Sequence, residues 1–193
     1  MGSCVGRAHH LEHRGFTVET IEAGSRFGCW HFLDTVRPVT LFLIRHAVAG
    51  VRNNQNPADD QRPLDTIGVE QAQAIADTWT DLSVQAIYSS PALRCVQTVE
   101  PLAERLGLSV QIAPELFEAA SSSRSIEFVR RFTGQNVVLC SHGDVIPDVL
   151  RNLEVGGSQL TGRGCAKGSI WQLDNSTERI ESGTYLNAPG LLA

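Results

Sequence analysis

The chain has 193 residues, 42% apolar and 19% charged, a size and balance that suit one globular domain with some tail left over. Its net charge of −5 argues against nucleic acid as a partner, because duplex binding relies on clustered basic residues. There is no run of eighteen apolar residues to predict a membrane span, and residues 1–10 lack the basic start and apolar stretch of a secretory signal. The five cysteines contain no CxxC pair, which predicts reduced thiols and a cytoplasmic setting.

Residues 1–37 read as an N-terminal extension, partly disordered, with a possible strand over residues 16–21. Cys4, His9, His13 and Cys29 fit no standard zinc spacing, so no metal or cofactor is expected. Regular patterning begins at Pro38. Val39–Ile44 is an apolar run of strand length, suited to a parallel strand buried on both faces. A polar loop follows over residues 48–63. Thr66 can then cap a helix whose apolar face is Val69, Ala72, Ala76 and Trp79. Ala86–Tyr88 is a second strand. A helix opened by Pro91 and stopped by Gly107 comes next, then a third strand over Leu108–Ile112. Ser125–Phe132 has helical spacing, and Val137–Cys140 is a fourth, wholly apolar strand. A helix carries Val145, Val149, Leu150 and Leu153. Ser169–Leu173 and Ile180–Thr184 read as a closing pair of strands. This alternation predicts an α/β fold, a three-layer α/β/α sandwich with a mostly parallel central sheet, over residues 38–186, followed by a tail over 187–193.

In open α/β sheets, ligands bind beyond the carboxyl ends of the strands. Arg45-His46 follows the first strand, Ser89-Ser90-Pro91-Ala92-Leu93-Arg94 the second, and Ser141-His142-Gly143 the fourth. Two histidines and two arginines should therefore meet on one rim. Such a group suits phosphoryl transfer, where fixed cations and N–H donors stabilise charge on the transferred group. A neutral imidazole can attack phosphorus, and nearby arginines help keep it neutral. Gly143 and the helix start behind it supply backbone N–H groups to an anion. The leaving atom needs a proton, for which Glu115 and Glu118 are the local candidates.

The runs Leu43-Ile44-Arg45-His46-Ala47, Arg62-Pro63-Leu64…Gly68…Gln71-Ala72, Tyr88-Ser89-Ser90-Pro91-Ala92-Leu93-Arg94 and Val138-Leu139-Cys140-Ser141-His142-Gly143 resemble, in that order, the motifs of the histidine phosphatase superfamily, phosphoglycerate mutase-like, branch 1. The resemblance covers about residues 38–186 and implies that fold. It also implies a metal-independent phosphatase with His46 as nucleophile, Arg45, Arg94 and His142 as phosphate pocket, and Glu118 as proton donor. Arg62 is a further candidate lining residue, with a simple ion pair as the other reading. Ala47, Arg62-Pro63-Leu64 and the short chain look most like compact bacterial phosphohistidine phosphatases. Lys167-Gly168-Ser169-Ile170-Trp171 also resembles the phosphatase-like domain fused to some Nudix hydrolases, although no Nudix box occurs here.

The expected substrate is a phosphorylated small molecule or a phosphoprotein, with protein phosphohistidine foremost. Small-molecule or nucleotide phosphatase, mutase-like enzyme and non-catalytic phosphate-binding module are the alternatives. Only about 20 residues separate Ile112 from Phe132, which removes a mutase-type insert and predicts an open pocket. No nucleic acid or membrane partner is expected, and the sequence does not define an oligomeric state.

Overall fold

A computed structural model of the protein describes residues 39–53, 55–79, 83–176 and 178–190. The reading of residues 1–37, with its strand and its Cys4/His9/His13/Cys29 group, lies outside the described residues. Seven strands form one sheet: β1 (Thr40–Arg45), β2 (Ala86–Ser89), β3 (Val110–Ile112), β4 (Val137–Ser141), β5 (Gln159–Thr161), β6 (Ile170–Asn175) and β7 (Ile180–Leu186). Their order across the sheet is β3-β2-β4-β1-β6-β7-β5. Pairings are parallel except where β6 meets β1 and β7. Only β6 therefore runs against the other strands, and the sheet is mixed but mostly parallel.

Among the described residues, four α-helices cover it: α1 (Thr66–Thr78), α2 (Leu93–Leu106), α3 (Ser122–Arg130) and α4 (Val145–Val155). The apolar run in β1 is continuous because each residue has a helical layer to face. Phe42 and Ile44 pack with Ile75 and Ala76 of α1 and with Cys95, Val99 and Leu102 of α2. Leu41 and Leu43 turn to the opposite face, against Phe128 and Val129 of α3 and Val145, Ile146 and Val149 of α4. β4 divides likewise, with Val138 and Cys140 on the first face and Val137 and Leu139 on the second. This is the period-two alternation of a strand buried on both sides.

Of the face expected for α1, Ala72, Ala76 and Trp79 are buried, and Val69 is not. Asp65, not Thr66, is the N-cap, and its carboxylate accepts from the Gly68 amide at 2.9 Å. The buried positions are Gly68, Gln71, Ala72, Ile75 and Ala76, while Val69 is 58% exposed. Gly68 is required by close approach: a Cβ there would lie 1.8 Å from the Val48 carbonyl oxygen. β5 was not expected; it pairs parallel with β7 at the sheet edge. The residues read as a tail also stay on the fold, since Ala188 is buried and Gly190 lies against Ala74.

The consequence for function is topological. The carboxyl ends of β1, β2 and β4, three adjacent parallel strands, open on one rim, and α2 and α4 begin there.

Candidate active site

His46 directly follows β1, and its backbone is held from both sides. Its amide donates to Ser141 at 3.0 Å, and its carbonyl accepts from the Gly168 amide at 3.1 Å. The next amide, of Ala47, donates to Thr98 of α2 at 2.9 Å, and that of Val48 donates to the Gln71 side chain of α1 at 2.9 Å. The side chain is 6% exposed. Nδ1 lies 2.8 Å from the Ala47 carbonyl oxygen. A carbonyl can only accept, so the Nδ1 proton is placed there and the Nε2 of the neutral ring keeps its lone pair. Burial first, and then the positive field of His142, Arg94 and Arg45, lowers the imidazole from 6.5 to about 3, against the opposing pull of the Ala47 carbonyl. At neutral pH His46 is uncharged.

Arg45, the last residue of β1, donates to the Cys165 carbonyl. Its guanidinium lies flat against Gly143, where a Cβ would come within 2.7 Å of Cζ. Gly143 therefore serves first to let Arg45 approach. His142 is 2% exposed, with Nε2 2.7 Å from Ser90 Oγ and Nδ1 3.5 Å from an Arg94 nitrogen. The His46 and His142 rings stand edge to face, 5.4 Å apart. Phe117 packs edge-on to His142 from the far side at 5.9 Å.

Arg94, in the first turn of α2, is 1% exposed. It donates to the Asp59 carbonyl at 3.0 Å and to Glu118 at 2.8 Å. Glu118 lies between two arginines, since Arg52 approaches its other oxygen at 3.5 Å. Nε of Arg45 and Nε of Arg94 are buried without a hydrogen-bond partner among the described residues. Arg52, Asn53 and Asn56, with Asp59 and Glu118 of this group, line an open cleft of about 630 Å3.

The structure thus brings His46, Arg45, Arg94, His142, Gly143 and Glu118 together. Glu118 meets Arg94, whereas Glu115 sits one turn back with its carbonyl held by Ser125. Arg62 has the ion-pair geometry instead of facing the histidines. It grips both Asp59 oxygens, at 2.9 and 3.2 Å, and donates to the Ala49 and Gly50 carbonyls. Asp59 was missed by the sequence reading. Its hydrogen bonds to Arg62 above all hold its carboxyl down at about 2, and it links Arg62 to Arg94. Thr98 and Gln71 were also missed as supports; a polar residue among the apolar positions of a helix was the available signal. Among the described residues, no three His, Cys, Asp or Glu side chains cluster as a metal-binding set. No described helix is long and apolar enough to cross a membrane.

Comparison with known proteins places this geometry. The sequence model of the histidine phosphatase superfamily (branch 1) matches residues 41–123. An 8-oxo-(d)GTP phosphatase of Mycolicibacterium smegmatis is 32% identical over 162 residues, 79% of this chain and 50% of that protein. The chain therefore spans half the length of that relative. A candidate phosphohistidine phosphatase SixA from Agrobacterium tumefaciens superposes with a TM-score of 0.60 at 25% identity, over 80% of this chain and all of that one. The protein histidine phosphatase SixA bound to tungstate shares the fold with a TM-score of 0.59 at 19% identity, over 77% of this chain and 95% of that one. The motifs matched over residues 41–123 are those of branch 1 of the histidine phosphatase superfamily, and the fold is the one its SixA members share.

Proposed function

We propose that the chain is a phosphatase that transfers a phosphoryl group to His46 and then to water. The observation that carries this reading is the state of His46. It is a buried, neutral imidazole whose Nδ1 proton is fixed on Ala47 and whose Nε2 has no partner among the described residues. A lone pair fixed beside Arg45, Arg94 and His142 is an activated nucleophile facing an anion site.

In the first step, Nε2 attacks phosphorus while the bond to the leaving atom breaks. Arg45, Arg94 and the backbone at Gly143 and the start of α4 hold the phosphoryl oxygens. The spare Nε donors of both arginines supply hydrogen bonds for them. Arg94 turns to the phosphoryl group and releases one oxygen of the Glu118 carboxyl, whose other oxygen stays beside Arg52. Glu118 then protonates the leaving atom. In the second step it takes a proton from the water that attacks phospho-His46, and free His46 returns. No step requires a metal or cofactor.

Protein phosphohistidine is the preferred substrate. The likeness to SixA proteins and the open cleft beside Glu118 support it. A nucleotide is the second reading, favoured by the 8-oxo-(d)GTP phosphatase relative. The test is hydrolysis of a chromogenic phosphate ester, a phosphohistidine peptide and 8-oxo-guanine nucleotides by wild type and by His46→Ala. The phosphatase reading expects turnover that the variant loses. Phosphate binding without turnover by wild type would indicate a non-catalytic module instead.

A further inference from the structure

The residue that offers the proton in the reading above sits on an unusual piece of backbone. Ala119, next to Glu118, is the one non-glycine residue with positive φ (61°) among the described residues. A Cβ disfavours that conformation, so something outside the residue must hold it. The Ala119 amide donates to Asp144 Oδ2 at 3.0 Å. Asp144 stands two residues after His142, at the start of α4. One helical turn on, Asp148 accepts from the Ser122 hydroxyl at the far end of the same loop. At the near end, Ser141 Oγ donates to the Leu116 carbonyl at 2.7 Å. Three side chains of the segment that carries His142 thus fasten residues 116–122, and only Asp144 acts on the strained link beside Glu118.

We infer that Asp144 is a positioning residue. Its carboxylate fixes the left-handed Ala119 and so keeps the Glu118 carboxyl on Arg94, in register with His142. The inference rests on Glu118 acting as the proton donor. It does not place Asp144 among the groups that touch substrate. Removal of the carboxylate frees Ala119 to leave the left-handed region and carries Glu118 away from Arg94. The loss falls on proton delivery. It should therefore be large for a leaving group that needs a proton and small for one that leaves as a stable anion.

The test compares Asp144→Ala, Asp144→Asn and the double variant Asp144→Ala with Ala119→Gly against wild type. Each is assayed on an alkyl phosphate and on a dinitrophenyl phosphate. Asp144→Ala should lower kcat on the alkyl ester by about 10- to 100-fold with little change in KM, and should spare the dinitrophenyl ester. Asparagine keeps an acceptor oxygen and should restore most of the rate. Glycine accepts positive φ freely, so the double variant should recover part of it. Circular dichroism and urea unfolding check that each variant is folded. Equal losses on both esters, or a glycine variant with no recovery, would overturn the inference while leaving the phosphatase reading intact. A wild type inactive on both esters would overturn both.

Discussion

At the scale of single residues, the account turns on a histidine kept neutral by where it sits. Unfolded, the His46 imidazole titrates near 6.5; folded, it titrates at about 3 because it is buried among positive groups. The unfolded chain therefore takes up the proton first as pH falls. The stability that rests on neutral His46 is full above pH 6.5 and is lost as pH falls toward 3. NMR titration should accordingly show His46 ring resonances that do not move between pH 7 and pH 5. A midpoint near 6.5 would contradict this placement. Glu118 gives a second expectation. Glu118→Gln removes the proton but keeps the size, and kcat on an alkyl phosphate should fall by about 10²- to 10⁴-fold, with a smaller loss on an activated ester. Stopped assays on both esters decide it; equal rates to wild type would remove Glu118 from the chemistry. That His46, Arg45, Arg94 and His142 would meet was legible in the sequence because each lies at or shortly after the carboxyl end of an apolar strand in one α/β sheet. Asp59 was not, because an aspartate in a polar loop looks like any solvated turn residue until its partners, Arg62 and Arg94, are seen.

At the scale of elements, the site depends on helices that press on the loop after β1. α1 brings Gly68 against Val48, and Gln71 accepts from the Val48 amide; α2 brings Thr98 to the Ala47 amide. Gly68→Ala would drive a methyl into the Val48 carbonyl. It should cost roughly 3 kcal/mol, read as a lower urea midpoint, and should lower kcat through the displaced His46 loop. A variant as stable and active as wild type would show that α1 does not fix that loop. The hydropathy pattern put Val69, Ala72, Ala76 and Trp79 on the apolar face of α1; the last three are buried, but Gly68 and Gln71 are inside in place of Val69. Both inner residues serve the neighbouring loop, one by being small and one by being polar, and neither registers as core on a periodicity count. β1, β4 and α4 were legible for the opposite reason, since their burial is mostly apolar, Thr40 and Ser141 at the strand ends excepted. β5 escaped notice because three half-exposed residues at a sheet edge carry no alternation strong enough to mark a strand.

At the scale of the whole molecule, the sheet puts three adjacent parallel strands on one rim and lets one chain reversal, β6, close the far side. Among the described residues, the site is built from residues 45–145, and its supports reach Gly168 and Ser169. Deletion of residues 1–37 should therefore leave the kcat on a chromogenic ester within about twofold of the full chain. Loss of activity on truncation would assign the extension a part in the site. The mostly parallel sheet followed from the sequence because strand and helix periods alternate. The antiparallel run of β6 between β1 and β7 did not follow beyond the expected pairing of β6 with β7, because an apolar strand in mid-sheet carries no mark of its direction.

The central claim is that His46 accepts the phosphoryl group. Wild type and His46→Ala should be mixed with a ³²P-labelled phosphate ester, quenched in alkali within milliseconds to seconds, and digested for mass spectrometry. The account predicts an alkali-stable, acid-labile phosphate on the peptide that contains His46 in the wild type, and none in the variant. Turnover by wild type with no such label, or unchanged turnover by His46→Ala, would contradict it.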